Sequence, residues 1–413
     1  MKQSLTSLEK KWILYDVANS AFTMMVSTII PIYFHALGDA AGVSPTDYLA
    51  YWGYALSIAT LLTAILGPLI GAAGDRGRRK KMYFAASIVL GAAFCMALGF
   101  VRQWQLFLVI FCVAKTIYSL SLVIYDSTLA DVTTDERMDD VSSAGYAFGY
   151  IGSCIPFIAC LVLVLMSGKI GLSPMNAMSI SLFITAVWWL LVSAPILKVY
   201  EQKNYLQDEK EQSVNIGSQL LRSLKGIAGD KKVWTFLLAF FFYIDGVYTI
   251  IDMSTAYGSS LGLDSSAMLL ALLVTQFVAF PSALLIGRLS RRYKSSTLIT
   301  ICISAYFCIA VFAFFLAHTW QFWVLAVFVG MFQGGIQALS RSYFARITPP
   351  ERSGEYFGFF DICGKGASII GTTMMGIVTQ ATGRQNFGVG GLALFFLIGL
   401  VLFRISAKEA GKS

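Results

Sequence analysis

Long apolar blocks separated by short polar clusters dominate the pattern of this chain. Twelve blocks have the length of a membrane-crossing helix: roughly 12–37, 49–73, 82–101, 105–129, 142–166, 175–197, 232–256, 267–286, 297–317, 320–345, 356–380 and 388–404. Crossing the hydrocarbon takes ~20 mostly apolar residues in a structure that satisfies its own backbone. Continuous stretches such as Ile180–Val192 and Phe307–Ala317 lack the alternation of a membrane β-barrel, whose segments run to ~10 residues. The pattern predicts an all-α membrane protein of twelve transmembrane helices. Met1–Lys11 is short and polar, and the apolar run behind it is long and holds Asp16 and Asn19. It reads as an uncleaved first span, since the apolar core of a signal peptide is shorter.

Composition narrows the class. Of 413 residues, 57% are apolar and 13% charged, and mean hydropathy is +0.69. Soluble domains carry about 25% charged residues, so three water-covered cores are excluded, and the 14% aromatic content excludes disorder. The net charge of +8 is topological in origin. With the N-terminus placed in the cytoplasm, 26 of the 31 Lys and Arg fall on the inner side. Only Arg102, Lys169 and Arg384 fall outside, while Lys115 and Lys365 lie within spans. This asymmetry predicts a multi-pass protein of the cell membrane with both termini cytoplasmic. It also removes the nucleic-acid reading. The seven cysteines all fall in spans without metal-ligand spacing, and His35 and His318 stand near external ends. No metal or cofactor is expected.

The longest polar stretch, Tyr200–Lys232, divides the spans six and six, and the halves resemble each other. Ala130, Thr133, Glu136 and Arg137 recur as Ala345, Thr348, Glu351 and Arg352 at an offset of 215 residues. The turn after span 2, from Gly71 through Asp75, Arg76, Gly77, Arg78 and Arg79 to Lys80, recurs after span 8 as Gly287 to Lys294 at 216. Six spans per copy make a parallel repeat about an axis along the membrane normal. The predicted units are residues 1–199, a cytoplasmic linker at 200–231, and 232–413.

Twelve spans as six plus six, with a G-x-x-x-D-R turn after span 2, resemble the major facilitator superfamily over the whole chain. The turn departs from the family pattern by lacking one residue between Arg76 and Gly77, and its second copy has Arg291 at the acidic position. Three stretches resemble one branch, the vacuole-effluxer-like permeases related to the autophagy-associated vacuolar amino-acid exporter. They are Tyr15 to Phe22 (Y-D-V-A-N-S-A-F), Gly334 to Ser342 (G-G-I-Q-A-L-S-R-S), and Pro349 to Arg352 leading to Gly364 and Lys365. The resemblance implies two pseudo-symmetric six-helix bundles, a central cavity lined by every third span, and a monomer. It implies too that Asp75 and Arg76 brace the cytoplasmic ends of the halves, and that the chain exports amino acids.

Independently of family, charges inside spans are expensive and tend to face a cavity or a partner. Spans 2, 3, 5, 6, 8, 9 and 12 have none within their apolar runs. Span 1 has Asp16, span 4 Lys115 and Asp126, span 7 Asp245 and Asp252, span 10 Arg341, and span 11 Asp361 and Lys365. Helical spacing aligns Asp16, Asn19, Ser20, Thr23 and Ser27 on span 1, and Gln333, Gln337 and Arg341 on span 10. Lys115, Tyr118, Tyr125 and Asp126 share a face of span 4, and Asp245, Tyr248, Thr249 and Asp252 a face of span 7. Interhelical packing is the competing explanation for the Ser and Thr members.

Depth separates the roles. Asn19, Thr23, Lys115, Tyr118, Asp245, Tyr248, Gln333 and Gln337 are the expected substrate-binding set near the midplane. Asp245, then Asp16, are the proton-coupling candidates. Asp126 and Arg341 differ by the repeat period of 215 and carry opposite charges, so they are expected to face each other across the axis and close the cytoplasmic side. The competing reading pairs each within its own half. Asp75, Arg76, Asp361 and Lys365 complete the expected gate, although Asp361 and Lys365, four apart, can also neutralise each other.

A secondary transporter working by alternating access is expected, with Lys115 and Asp245 offering both signs of charge to a zwitterion such as an amino acid or short peptide, in proton-coupled export. A cavity this aromatic also suits drug, amphiphile or lysolipid efflux. No G-x-x-x-x-G-K-S/T stretch supports ATP drive and no H-E-x-x-H stretch supports a membrane enzyme, the alternative of a different class. No repeated filter-like loop supports a channel. The expected partners are a small-molecule substrate and the lipid bilayer.

Overall fold

The computed structural model describes residues 4–207, 215–260 and 265–411. Among them are twelve helices or helix pairs long and apolar enough to cross a membrane. Spans 2 to 6 are Pro45–Asp75, Lys80–Leu98, Trp104–Ser127, Met138–Leu165 and Pro174–Val199. Spans 7 to 12 are Lys231–Ser260, Ser265–Leu289, Ser295–Phe314, Thr319–Ile347, Ser353–Thr382 and Gln385–Ala410. Several helices extend beyond the apolar blocks because capping residues start them early. Ser44 caps span 2 by accepting from the Asp47 amide, and Ser173 caps span 6 by accepting from Asn176.

Span 1 is two helices, Ser7–Ser27 and Ile29–Ala40. Thr28 between them has φ −133° and ψ −82°, outside the helical region, and its hydroxyl donates back to the Met24 carbonyl at 2.5 Å. Pro31 follows, and with no N–H it cannot bond the Ser27 carbonyl one turn back. Pro68, Pro156, Pro195 and Pro281, by contrast, lie inside continuous helices.

Within each half, span 1 packs on spans 5 and 6, span 4 on 2 and 3, span 7 on 11 and 12, and span 10 on 8 and 9. Two seams join the halves: span 2 against span 11, and span 5 against spans 8 and 10. The first seam is backbone on backbone. A Cβ on Gly358 would lie 2.5 Å from the Cα of Pro68, and one on Gly71 would overlap the Gly354 carbonyl. In the second seam Gly287, the repeat counterpart of Gly71, rests on Ser143 and Asp140 of span 5. Between spans 6 and 7 a further helix, Ile216–Gly229, lies against the ends of spans 2, 7 and 11. This end of the bundle, which also holds the described chain ends, is called the linker end below.

Candidate functional site

At the linker end charged side chains pair across the two halves. Arg341, 2% exposed on span 10, inserts its guanidinium into a socket of the first six spans. Nη1 donates to Asp126 of span 4 at 2.9 Å and Nη2 to Asp16 of span 1 at 3.3 Å. Nε donates to the Ser142 hydroxyl at 2.9 Å, and Nη2 also to the Ser142 carbonyl at 3.0 Å. The rings of Tyr146, Trp12 and Tyr125 lie 4.5, 4.8 and 5.5 Å from the guanidinium carbon, where aromatic faces attract a cation. Tyr125 steadies the socket by donating to Asp16 at 2.8 Å. Gly145 makes room, since a Cβ there would meet the Asp16 carboxylate. Arg341 therefore pairs across the halves with both acids, and the reading that kept each charge within its own half does not describe the structure. Asp16 sits in this socket, bound to Arg341 and Tyr125.

Asp75 ends span 2 fully buried and accepts from the backbone amides of Gly354 at 3.0 Å and Glu355 at 2.9 Å. These belong to the first turn of span 11, whose unpaired N–H groups and dipole attract an anion. Lys80, also buried, pairs with Asp75 at 3.0 Å and donates to Ser353 at 2.6 Å. Arg76 donates to Gln219 of the linker helix at 2.9 Å. The second copy of the turn does the same work with reversed charge: Arg291 pairs at 2.6 Å with Asp140, in the first turn of span 5. The acidic position lost from that copy thus reappears on the opposing helix. Asp139 alongside takes Arg346, Ser295 and Ser342 from spans 9 and 10. The pairs of Arg341 with Asp16 and Asp126, of Arg291 with Asp140 and of Arg346 with Asp139 all join the halves at the linker end.

Deeper in the bundle the structure collects a second polar group. Thr23 and Tyr118 share a hydrogen bond of 2.5 Å, Tyr118 reaches the Asn19 amide oxygen at 3.4 Å, and Asn19 donates to the Tyr15 carbonyl at 2.9 Å. The Lys115 ammonium lies 5.1 Å from the Tyr118 ring centre. Its electrostatic neighbours are Lys365, Asp252 and Asp361, all from the last six spans. Asp361 and Lys365 pair with each other at 2.6 Å and have Lys115 as a further cationic neighbour. Tyr248 joins this group, with Asp361, Asp126 and Asp252 as its charged neighbours.

Asp245 stands apart. It is fully buried, accepts from Thr249 at 3.2 Å and from the Gly371 amide at 3.1 Å, and its Oδ2 has no hydrogen-bond partner among the described residues. The expected combination of Lys115 with Asp245 is thus corrected: the acids whose charge acts on Lys115 are Asp252 and Asp361, and Asp245 is not among its charged neighbours. Gln333 and Thr249 line a cavity of about 90 Å³ in the last six spans, otherwise mostly apolar, with Met253, Tyr257, Phe322 and Met375 among its walls. Gln337 is half-buried one turn beyond Gln333.

Sequence reasoning placed Asp252 on the span 7 stripe but not in the binding set. It missed Ser142, Tyr146 and Trp12 as socket walls. Asp252 was readable as the second charge of span 7. The others are uncharged residues in or beside apolar runs, which nothing in one sequence separates from packing.

Comparison with known proteins follows this geometry. A family model described as "Vacuole effluxer Atg22 like" matches residues 7–137 and 130–413. The chain is 40% identical over 414 residues to the MFS-type transporter YxiO of Bacillus subtilis, covering 99% of this chain and 97% of that one. It is 23% identical to autophagy-related protein 22 of Kluyveromyces lactis, covering 98% and 94%. Its fold is similar to that of FucP in the outward conformation, with TM-score 0.73, 17% identity and 97% of both chains covered. It is also similar to a bacterial homologue of the iron transporter ferroportin, with TM-score 0.74, 13% identity and coverage of 97% and 99%.

Proposed function

The chain belongs to the Atg22-like vacuole effluxer family and is a membrane transporter of the major facilitator superfamily, and from that premise we propose that its solute is an amino acid or short peptide. What supports this reading is the electrostatic interaction of Lys115 of the first half with Asp252 and Asp361 of the second, beside the like charge of Lys365. A zwitterion presents a carboxylate to one side and an ammonium to the other, and so can engage charges of both halves at once. Asn19, Thr23, Tyr118, Tyr248, Gln333 and Gln337 supply neutral hydrogen bonds around it, and the apolar cavity behind Thr249 suits a hydrocarbon side chain. The same cavity supports a second reading, efflux of an amphiphile or lysolipid.

The working units in this reading are residues 1–199 and 232–413, rocking about the midplane and joined by 200–231. Asp126–Arg341, Asp75 with Arg76, and their partners close the linker end, which faces the cytoplasm with both termini. Asp245 is the proton-coupling residue, because its Oδ2 is buried with no donor to displace among the described residues. Asp16 serves as the second, becoming available when Arg341 leaves. Export is the direction this reading assigns.

Counterflow of radiolabelled amino acids in proteoliposomes, with and without a pH gradient, tests the proposal. Lys115→Gln and Asp252→Asn are expected to abolish counterflow. Asp245→Asn is expected to keep counterflow and lose the response to the gradient. Amino-acid counterflow absent from the wild type, with a lysolipid or cationic amphiphile carried instead, decides for the second reading. Full transport in both Lys115→Gln and Asp252→Asn overturns the site.

A further inference from the structure

The linker helix Ile216–Gly229 has more apolar surface than the protein covers. At 100° per residue, Ile227, Leu220, Leu224, Ala228 and Leu221 fall within an arc of about 120°. Only its Ile227 edge is buried: Ile227 is 1% exposed, whereas Leu224 is 45% and Leu221 63% exposed. Lys225 and Arg222, both exposed, come next around the helix. The remaining edge is polar and faces the protein. Gln219 and Ser223, each 4% exposed, lie there. Gln219 accepts from Arg76 at 2.9 Å and donates to Glu355 at 3.1 Å, while Arg352 donates to Ser223 at 3.5 Å. One residue thus ties the turn after span 2 to the first turn of span 11, beside the bonds Asp75 makes there.

A helix whose bare leucines adjoin basic residues, set at the ends of membrane-crossing helices, has the form that lies in a lipid–water boundary. Basic side chains there are drawn to anionic headgroups. We propose that anionic lipid of the leaflet at the linker end is the partner of this helix. Leu221 and Leu224 enter the acyl boundary, and Arg222 and Lys225 hold the headgroups. The lipid thereby keeps Gln219 seated between Arg76 and Glu355 and favours the closed linker end. The inference goes beyond solute transport and holds whatever the solute is.

Hydrogen exchange of the full chain in nanodiscs tests it, one set of neutral phosphatidylcholine and one half phosphatidylglycerol. Exchange of the linker-helix amides is expected to slow at least about tenfold in the anionic discs. Arg222→Gln with Lys225→Gln removes the difference between the discs, and Leu221→Ser with Leu224→Ser speeds exchange in both. Unchanged exchange in the amides of span 4 shows that the variants are folded. Equal linker exchange in neutral and anionic discs overturns the proposal. So does protection that appears only with two copies per disc, which assigns the face to a second copy.

Discussion

Removing Arg341 strands two carboxylates that now share one guanidinium. Asp16 and Asp126 are mostly buried, with side chains 11% and 19% exposed. Taking one partner from a buried ion pair costs about 3–5 kcal/mol, chiefly because the other charge is left uncompensated. All four hydrogen bonds of Arg341 reach the first six spans, so the loss falls on the contact between the halves and not on the packing of either. At about 1.4 kcal/mol per tenfold, Arg341→Ala should move the balance between closed and open linker ends by at least roughly a hundredfold. A cysteine at Ala338 reports this. That residue is fully buried, and its carbonyl accepts from Ser142 across the seam at 2.7 Å. With reactive native cysteines blocked beforehand, its modification by a water-soluble maleimide should speed up about a hundredfold in Arg341→Ala. Arg341→Lys should fall between, because an ammonium cannot fork to two carboxylates. The exchange Asp126→Arg with Arg341→Asp should recover both protection and transport lost in either single reversal. Wild-type modification of the cysteine in folded Arg341→Ala refutes the reasoning, and failure of the exchange to rescue counts heavily against the pair.

Asp75→Asn leaves Lys80, 1% exposed, without its counter-ion; the amides of Gly354 and Glu355 should then exchange faster by a factor consistent with about 3 kcal/mol, and unchanged exchange would show that the cap is dispensable. Gly71→Ala should lower transport at normal expression by forcing spans 2 and 11 apart, while Gly53→Ala in the same helix, where a Cβ meets nothing within 4 Å, should be silent. In Asp245→Asn, uptake should no longer rise with a pH gradient while exchange at equal pH continues; a preserved response places the proton elsewhere. Lys365→Gln should raise KM more than it lowers the turnover number, since Lys365 pairs with an acid whose charge acts on Lys115, and an unchanged KM removes it from the binding region.

Much of this was legible because lipid makes charge scarce. The fold followed from twelve apolar blocks, and the meeting of Asp126 with Arg341 from a repeat period and two signs. The counter-ions of Lys115 were not readable, since helix rotation and depth are set by packing between spans. Asp245 and Asp252 lie two turns apart on one helix, yet the first meets Thr249 and Gly371 and the second interacts with the charge of Lys115. Span 1 hid its interruption because Thr28 is apolar enough to pass within a hydrophobic run. Two socket aromatics were hidden likewise, as Trp12 and Tyr146 declare a role only when a cation lies beside them.

The interruption at Thr28 has a mechanical consequence. A continuous helix is a stiff rod that carries torque from end to end, whereas span 1 is two shorter levers meeting at a single residue. The segment Ser7–Ser27 is held through Asp16 to Arg341 of the other half, while Ile29–Ala40 is held within its own half, where Tyr33 meets Arg102 and Ser179. A load on one lever is therefore borne by different neighbours from a load on the other.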